Sequence, residues 1–596
     1  MELTRIFDIL QNSFENFPDK ADALVSKENG IWKKHSVREY YDTAHKLSYG
    51  LMAMGLSKGD RVATVSNNRP EWNFLDMALN QSGLIHVPIY PTLSESDYEY
   101  ILAHAEPRML VLSDKSLLQK VSPVAKKINP DIFIYTFNEI PEAKNWKEVY
   151  ALGNEKKDQM KDELEKVKKS IKTDDVATII YTSGTTGNPK GVMLSHKNII
   201  SNVLGAAEVF HFGLNDRTLS FLPICHVFER TINYYFQRQG VSIYYAENLG
   251  TIGDNLKEVK PSIFIAVPRV LERIYDKIIG VGKDLRGMKK QIFFWAVNLG
   301  LRFEFHRKNG WFYHWKLSLA RKLIFSKWQA AVGNNVRTIV SGSAALQPRL
   351  IRIFNAAGIP LVEGYGMTET SPIIATSNYD KGELMIGTVG PALPGMSVKI
   401  SEDGEILAKG DSVMKGYYKD PKQTSETIDK DGWLHTGDVG VLIDNKYVKI
   451  TDRKKEMFKL SSGKYIAPQI IENKFKESFF IEQLMVVGEN EKFASALISP
   501  NFPFLHNWCS RHGVKYRDNK DLIANPQVVA RFQREVNEMN KQLGQTEQIK
   551  RFRLVHEEWS PDSGELSATL KIKRKVITEK YRHILDDIYS VQKNGQ

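Results

Sequence analysis

Apolar positions in the first part of the chain follow two rhythms. Short continuous runs such as Arg61-Val62-Ala63-Thr64-Val65 and Gly83-Leu84-Ile85-His86-Val87-Pro88 are of strand length. They alternate with stretches whose apolar residues return every three or four positions, the period of a helix. Strands and helices taken in turn predict a parallel α/β layer up to about Asp114. The stretch 154–172 breaks this pattern. Glu155-Lys156-Lys157-Asp158 through Lys168-Lys169 places opposite charges four residues apart, which predicts a solvated helix serving as a surface connector. Asp175-Val176-Ala177-Thr178-Ile179-Ile180-Tyr181 then reads as a buried, β-branched strand that runs straight into a loop of Ser, Gly and Thr.

From 382 to 449 the pattern shortens to alternating strands with Gly and Asp turns, as in Ser397-Val398-Lys399-Ile400 and Gly404-Glu405-Ile406-Leu407, and a small β-rich subdomain is expected. Beyond Asp452 strands and helices mix again. Val528, Val529, Phe532 and Val536 predict an amphipathic helix over 526–543. A boundary at Asp452 divides the chain into 1–452 and 453–596. No internal repeat or low-complexity tract interrupts it.

Composition narrows the classes. With 596 residues, 42% hydrophobic and 26% charged, the chain is neither disordered nor collagen-like and exceeds one small domain. Two cysteines, Cys225 and Cys509, cannot build a disulfide framework, and no zinc-type Cys/His spacing occurs, so a reducing compartment is expected. The net charge of +12 is local: 271–330 holds 13 Lys/Arg against 4 Asp/Glu. The same segment carries Ile292-Phe293-Phe294-Trp295, Trp311-Phe312-Tyr313 and Trp315. Basic residues beside aromatics suit an anionic membrane surface, and a plain helical insertion with its own satellite core is the alternative. No nucleic-acid-binding pattern accompanies the charge. No apolar run reaches membrane-span length and the first residues lack a secretory pattern, so a cytoplasmic protein, peripheral on a membrane at most, is expected.

The chemistry-bearing strings come next. Tyr181-Thr182-Ser183-Gly184-Thr185-Thr186-Gly187-Asn188-Pro189-Lys190-Gly191-Val192 offers glycines for close backbone approach, hydroxyls and N–H groups for phosphate oxygens, and a lysine as point charge. It suits a polyphosphate but lacks Walker spacing. Further along stand Ser341-Gly342-Ser343-Ala344-Ala345, Glu363-Gly364-Tyr365-Gly366-Met367-Thr368-Glu369-Thr370, Thr436-Gly437-Asp438, Asp452-Arg453-Lys454-Lys455 and Thr569-Leu570-Lys571-Ile572-Lys573-Arg574. An aromatic face can stack on a base, and a carboxylate can hold a hard dication that bridges phosphates.

In this order the strings resemble the signatures of adenylate-forming (AMP-binding) enzymes, over about 20–589. The Pro223-Ile224-Cys225-His226-Val227-Phe228-Glu229-Arg230 segment and the Thr-Leu-Lys-x-Lys-Arg form resemble the long-chain acyl-CoA synthetase branch. The resemblance implies an α/β fold: a large N-terminal body of two α/β lobes and a β-barrel-like lobe, with a small mobile α+β C-terminal domain. It also implies ATP, coenzyme A and a fatty acid as substrates with Mg²⁺ as cofactor. By the same resemblance Thr182, Ser183, Gly184, Thr185, Thr186, Gly187 and Lys190 hold phosphates. Gly342, Ser343 and Ala344 flank adenine together with Glu363, Gly364, Tyr365 and Gly366. Thr368 contacts the α-phosphate, Glu369 and Thr185 hold the metal, and Asp438 and Arg453 bind ribose. His226 borders the carboxylate site, Lys455 sits at the hinge, and Lys571 is the catalytic lysine, with Lys573 a rival because Leu570 replaces the usual glycine. A fatty acyl-AMP ligase that hands its product to a carrier protein, or a noncatalytic membrane-binding scaffold, are the alternative readings.

Overall fold

A computed structural model describes residues 2–182, 188–560, 563–567 and 571–590. The chain forms two compact units. The first comprises Met1–Lys399, Leu407–His435 and Asp444–Val448, and the second Ile400–Ile406, Thr436–Ile443 and Lys449–Gln596. The chain passes between them inside the strands Met396–Ile400, Glu405–Gly410, Leu434–Ile443 and Tyr447–Arg453 and at the end of Leu434–Ile443, in and next to the segment expected to be β-rich.

Two sheets organise the first unit. The seven-stranded sheet runs in the order Gly416–Tyr417, Lys190–Ser195, Val176–Thr182, Ile85–Ile89, Arg61–Val65, Met109–Leu112, Phe133–Thr136. Its last five strands are parallel, as the early alternation predicts, and the first two are antiparallel additions. Ala63, Val65, Val87, Leu110 and Ile179 are fully buried against helices Glu95–Ala105 and Lys115–Ile128, which explains runs apolar on both faces. In the eight-stranded sheet the neighbours Arg217–Ser220, Ile263–Ala266, Thr338–Ser341 and Leu361–Gly366 are parallel, and Ile373–Thr376 closes one edge antiparallel. The connector 154–172 is indeed helical, Lys157–Ser170, with Leu164 its one buried residue.

Helix Val227–Gln239 is buried from Val227 to Gln237. Such a helix must satisfy its polar side chains internally, and Arg230 does so for the whole region. Its guanidinium donates to Tyr234 Oη (2.9 Å), Thr178 Oγ1 (2.7 Å) and Asp76 Oδ1 (2.6 Å). His86 Nδ1 also meets Asp76 Oδ1 at 2.6 Å, and Thr64 Oγ1 lies 2.8 Å from His86 Nε2. Burial alone would raise the Asp76 carboxyl, but Arg230 and His86 outweigh it and hold it below the usual carboxylate range. The network therefore fixes this helix, which follows a strand of one sheet, to Thr178, Thr64 and His86 of the other. Tyr234, Tyr235 and Phe236 are core here, with Tyr235 donating to the Phe210 carbonyl.

In the second unit Ile481–Val487 pairs antiparallel with Ser495–Pro500, which pairs parallel with Arg551–Leu554. Helix Pro526–Asn540 buries Val528, Phe532 and Val536 against Phe480 and Leu484, while Val529 faces solvent and the helix ends three residues before the predicted Leu543.

Candidate active site

Strand Val176–Thr182 ends at the phosphate-type loop. Ser183, Gly184, Thr185, Thr186 and Gly187 lie outside the described residues. Beyond them the chain returns antiparallel, with Thr182 opposite Lys190. The Lys190 ammonium stands over the ring of Tyr417, 5.0 Å from its centroid, and the Tyr417 hydroxyl donates to Glu369 Oε1 at 2.8 Å. One tyrosine thus carries the cation of the first motif on its face and the carboxylate of the second on its hydroxyl. The strand pairing Tyr417↔Val192 and the bond from Met414 N–H to the Glu369 carbonyl (2.8 Å) hold the three in place. Burial and the neighbouring Glu369 raise the Tyr417 hydroxyl, so it stays a donor. Nothing in the sequence singles out Tyr417, which stands 48 residues from Glu369 in an unremarkable strand.

The adenine-type turn follows strand Thr338–Ser341. A β-carbon at Gly342 would lie 3.2 Å from two ring carbons of Phe228 and 3.4 Å from the Gly364 carbonyl oxygen, so the turn, the Glu-Gly-Tyr-Gly strand and the His226 segment converge there. Ser343 has φ +70, in the left-handed region, and the chain bends at Ser343 and Ala344. At Gly366 a β-carbon would fall 1.9 Å from the Pro372 carbonyl oxygen, so only glycine fits beside the bulge after Tyr365. Glu363 and Thr368 are buried, and burial pushes the Glu363 carboxyl up to about 8, leaving it neutral near pH 7. Ser341 Oγ is buried with no hydrogen-bond partner among the described residues. An unpaired polar atom at the mouth of such a turn suits a polar ligand edge.

His226 caps the buried helix. Its Nδ1 accepts from Phe228 N–H at 3.2 Å, and its ring lies 6.2 Å from that of Tyr90. Cys225 beside it is buried and its thiol is raised by burial, so it is an inert packing residue.

The remaining candidates belong to the second unit. Arg453 Nε donates to Asp438 Oδ1 at 3.1 Å, pairing the two ribose candidates. In the turn that follows, Lys454 bonds Asp403 (2.6 Å) and Glu405 (3.0 Å), and Glu456 bonds Arg574 (3.3 Å). Lys455 lies exposed between these two anchors. Lys571 and Lys573 sit on the returning arm of a tight hairpin. Ser567 N–H donates to the Lys571 carbonyl (2.8 Å) and Lys573 N–H to the Glu565 carbonyl (2.8 Å). Ile572 packs against the cluster of Leu566 and Trp559, and Lys571 is exposed. Residues 568–570 lie outside the described residues. Among the described residues no helix is long and apolar enough to cross a membrane.

Known proteins give the arrangement its family. The sequence profile of the AMP-binding enzyme family matches residues 10–418, and that of the AMP-binding enzyme C-terminal domain matches 455–593. The chain is 30% identical to the long-chain-fatty-acid–CoA ligase FadD15 of Mycobacterium bovis, covering 97% of this chain and 96% of that protein. It is 33% identical to the peroxisomal long chain acyl-CoA synthetase 6 of Arabidopsis thaliana, covering 91% and 80%. Among solved structures, the anthranilate CoA ligase AuaEII in complex with anthranoyl-AMP matches at TM-score 0.69 and 18% identity over 97% of this chain and 98% of that one. The last shows the fold alone. Matched by these profiles and by relatives along nearly its whole length, the chain belongs to the AMP-binding enzyme family.

Proposed function

We propose that the protein ligates a fatty acid, long-chain by its relatives, to coenzyme A through an acyl-AMP intermediate, releasing AMP and pyrophosphate. The observation that carries this reading is the near full-length likeness to long-chain-fatty-acid–CoA ligases, and the junction of Lys190, Tyr417 and Glu369 supports it.

A carboxylate cannot be attacked usefully by a thiol, because its oxide is a poor leaving group. In the proposed reaction a carboxylate oxygen attacks the α-phosphorus of ATP and pyrophosphate departs. The thiolate of coenzyme A then attacks the acyl carbon and AMP departs. Neither step demands a general base on the acid, so the protein's work is positioning and charge stabilisation. Lys190, with Thr182, Ser183, Gly184, Thr185, Thr186 and Gly187, receives the pyrophosphate charge. Tyr365 stacks on adenine beside Gly342, Ser343, Ala344, Gly364 and Gly366, the neutral Glu363 carboxyl can donate as well as accept at the base edge, and Thr368 contacts the α-phosphate. Asp438 and Arg453 hold ribose, Lys571 bridges carboxylate and α-phosphate, and His226 borders the acid. The mobile part is 453–596, pivoting at Lys455.

Glu369 is buried with one oxygen occupied by Tyr417. A single carboxylate with a hydroxyl such as that of Thr185 is a hard oxygen set of the kind that holds Mg²⁺ through substrate phosphates. Bound there, the dication would neutralise phosphate charge. Peripheral contact with an anionic membrane through 271–330 belongs to the same proposal.

The test is pyrophosphate release from ATP over a graded series of carboxylic acids, with and without coenzyme A. Release that rises with chain length and thioester that forms only with coenzyme A is expected. Acyl-AMP that accumulates unchanged when coenzyme A is added would favour the fatty acyl-AMP ligase reading instead.

A further inference from the structure

Between the adjacent parallel strands Ile263–Ala266 and Thr338–Ser341 the chain inserts helices Pro268–Asp284, Gly287–Gly300 and Gly310–Ala320, a π-helical turn Arg321–Phe325 and helix Ser326–Ala331. Helix Gly310–Ala320 is apolar around most of its circumference: Trp-Phe-Tyr-His-Trp-Lys-Leu-Ser-Leu-Ala follows the glycine. A helix of that kind is ordinarily enclosed by protein or by lipid. Only one side of this one is enclosed. Leu317 and Ala320 are buried, and Tyr313 donates to the Leu299 carbonyl of the preceding helix (2.9 Å). On the other side Trp311 is 81% exposed, Phe312 53%, Trp315 60%, Leu319 41% and Leu323 48%.

Trp311, Trp315, Leu319 and Leu323 recur every four residues and form one stripe about 18 Å long at the helical rise. Phe312 and Trp315 stack on each other with ring centroids 6.2 Å apart. Isolated exposed apolar residues need no explanation, but a contiguous aromatic ridge marks a contact surface. The charge around it selects the partner. From 286 to 335 there are ten Lys/Arg and a single acidic residue, Glu304, whose carboxylate is held by Arg352 at 2.6 Å. Lys308 and Lys322 are exposed beside the stripe, and the Lys316 ammonium lies 4.2 Å from the Phe312 ring centroid, at the edge of the ridge. Tryptophans and leucines bordered by lysines, on a helix fixed to the body by its opposite face, match the chemistry of an anionic bilayer surface: apolar acyl region below, anionic headgroups around. A second copy of the chain fits poorly, because facing ridges would bring two such basic collars together.

We infer that helix Gly310–Ala320 and the turn after it are a membrane-docking face, lying in the plane of an anionic lipid surface with Trp311, Trp315, Leu319 and Leu323 inserted and Lys308, Lys316 and Lys322 on headgroup phosphates. The docking stands on this surface alone. Its purpose, access to a fatty acid dissolved in the bilayer, rests on the ligase reading above.

The experiment uses the full chain and sedimentation with vesicles of phosphatidylglycerol mixed into phosphatidylcholine, against pure phosphatidylcholine, at low and high salt. Wild type is compared with Trp311→Ser/Trp315→Ser/Leu319→Ser and with Lys308→Gln/Lys316→Gln/Lys322→Gln. Binding to anionic vesicles that falls in high salt is expected, reduced on the order of tenfold or more by either set. Adenylation of a short, water-soluble acid is read in parallel and stays unchanged in both variants, which shows that they fold. If wild type ignores lipid charge, or both variants bind as wild type does, the docking face is overturned whatever the activity. A wild type that self-associates and becomes monomeric on loss of the stripe would assign the ridge to a second copy and also overturn it. Membrane binding that both sets of substitutions reduce, in a chain that ligates no fatty acid at all, would uphold the docking and refute only its purpose.

Discussion

Lys571 and Lys573 stand two residues apart on the strand arm that pairs with 565–567, and the proposed chemistry has room for one of them. Changing Lys571 to Ala is expected to slow acyl-AMP formation by roughly 10²- to 10³-fold or more, because a cation at developing charge is lost. Thioester formation from preformed acyl-AMP should survive, since that step does not use this lysine. The comparison is Lys573→Ala in the same two assays, and the opposite pattern would exchange the two roles. Tyr417 offers a second test at this scale. Tyr417→Phe keeps the ring under Lys190 and deletes only the donor to Glu369 Oε1. A hydrogen bond to a charged group is worth about 1.5–3 kcal/mol, so adenylation should fall about 10- to 100-fold, chiefly through a raised KM for ATP with Mg²⁺. Unchanged kinetics would remove Tyr417 from the site.

Glu229 adds a pH signature. It lies in the buried helix, its Oε2 has no partner among the described residues, and burial raises its carboxyl to about 8. Folded chains therefore keep a proton that unfolded chains release near an ordinary glutamate pKa of about 4.3. The stability this contributes is complete below that value and is lost as pH rises through about 8, with a slope of at most about 1.4 kcal/mol per pH unit. Glu229→Gln carries no ionisable proton and keeps the shape. Its melting temperature should decline less than that of wild type between pH 6 and pH 8, and parallel declines would contradict the assignment.

At the scale of elements the hinge segment is instructive. The turn after strand Tyr447–Arg453 is pinned on one side by Lys454 to Asp403 and Glu405 and on the other by Glu456 to Arg574, with Arg574 also bonded to Glu472 (2.6 Å). The proposed rotation at Lys455 would change its backbone angles, and proline fixes φ and restricts the residue before it. Lys455→Pro should therefore retain acyl-AMP formation and lose thioester formation, measured as separate half-reactions. Loss of both would indicate misfolding, and survival of both would put the pivot elsewhere.

Elements also show what the sequence could disclose. Strands Arg61–Val65, Ile85–Ile89 and Val176–Thr182 were legible because they are buried on both faces and read as continuous apolar runs. The candidate site motifs can be picked out because each is contiguous in sequence. Tyr417, and the Arg230 network joining Asp76, His86 and Thr178, cannot, since partners up to 154 residues apart meet only through sheet order. The aromatic run Tyr234-Tyr235-Phe236 carries no mark of its burial in sequence, and the fold makes all three core. Trp311 and Trp328 look alike in sequence. One is exposed and the other packs against Tyr275 and Phe325, a difference set by which side of the insertion meets the body.

For the whole molecule the central claim is that a fatty carboxylate is activated as an acyl-adenylate before coenzyme A captures it. Family membership and the grouping of Lys190, Tyr417 and Glu369 support the nucleotide half of that claim. The acid half is tested most directly by isotope transfer. A long-chain fatty acid labelled with heavy oxygen in its carboxylate is turned over with ATP and coenzyme A, and the nucleotide product is weighed by mass spectrometry. If the carboxylate attacks the α-phosphorus, each AMP released carries one labelled oxygen and pyrophosphate carries none. Label in inorganic phosphate with ADP as the nucleotide product, or unlabelled AMP alongside acyl-CoA, would contradict it.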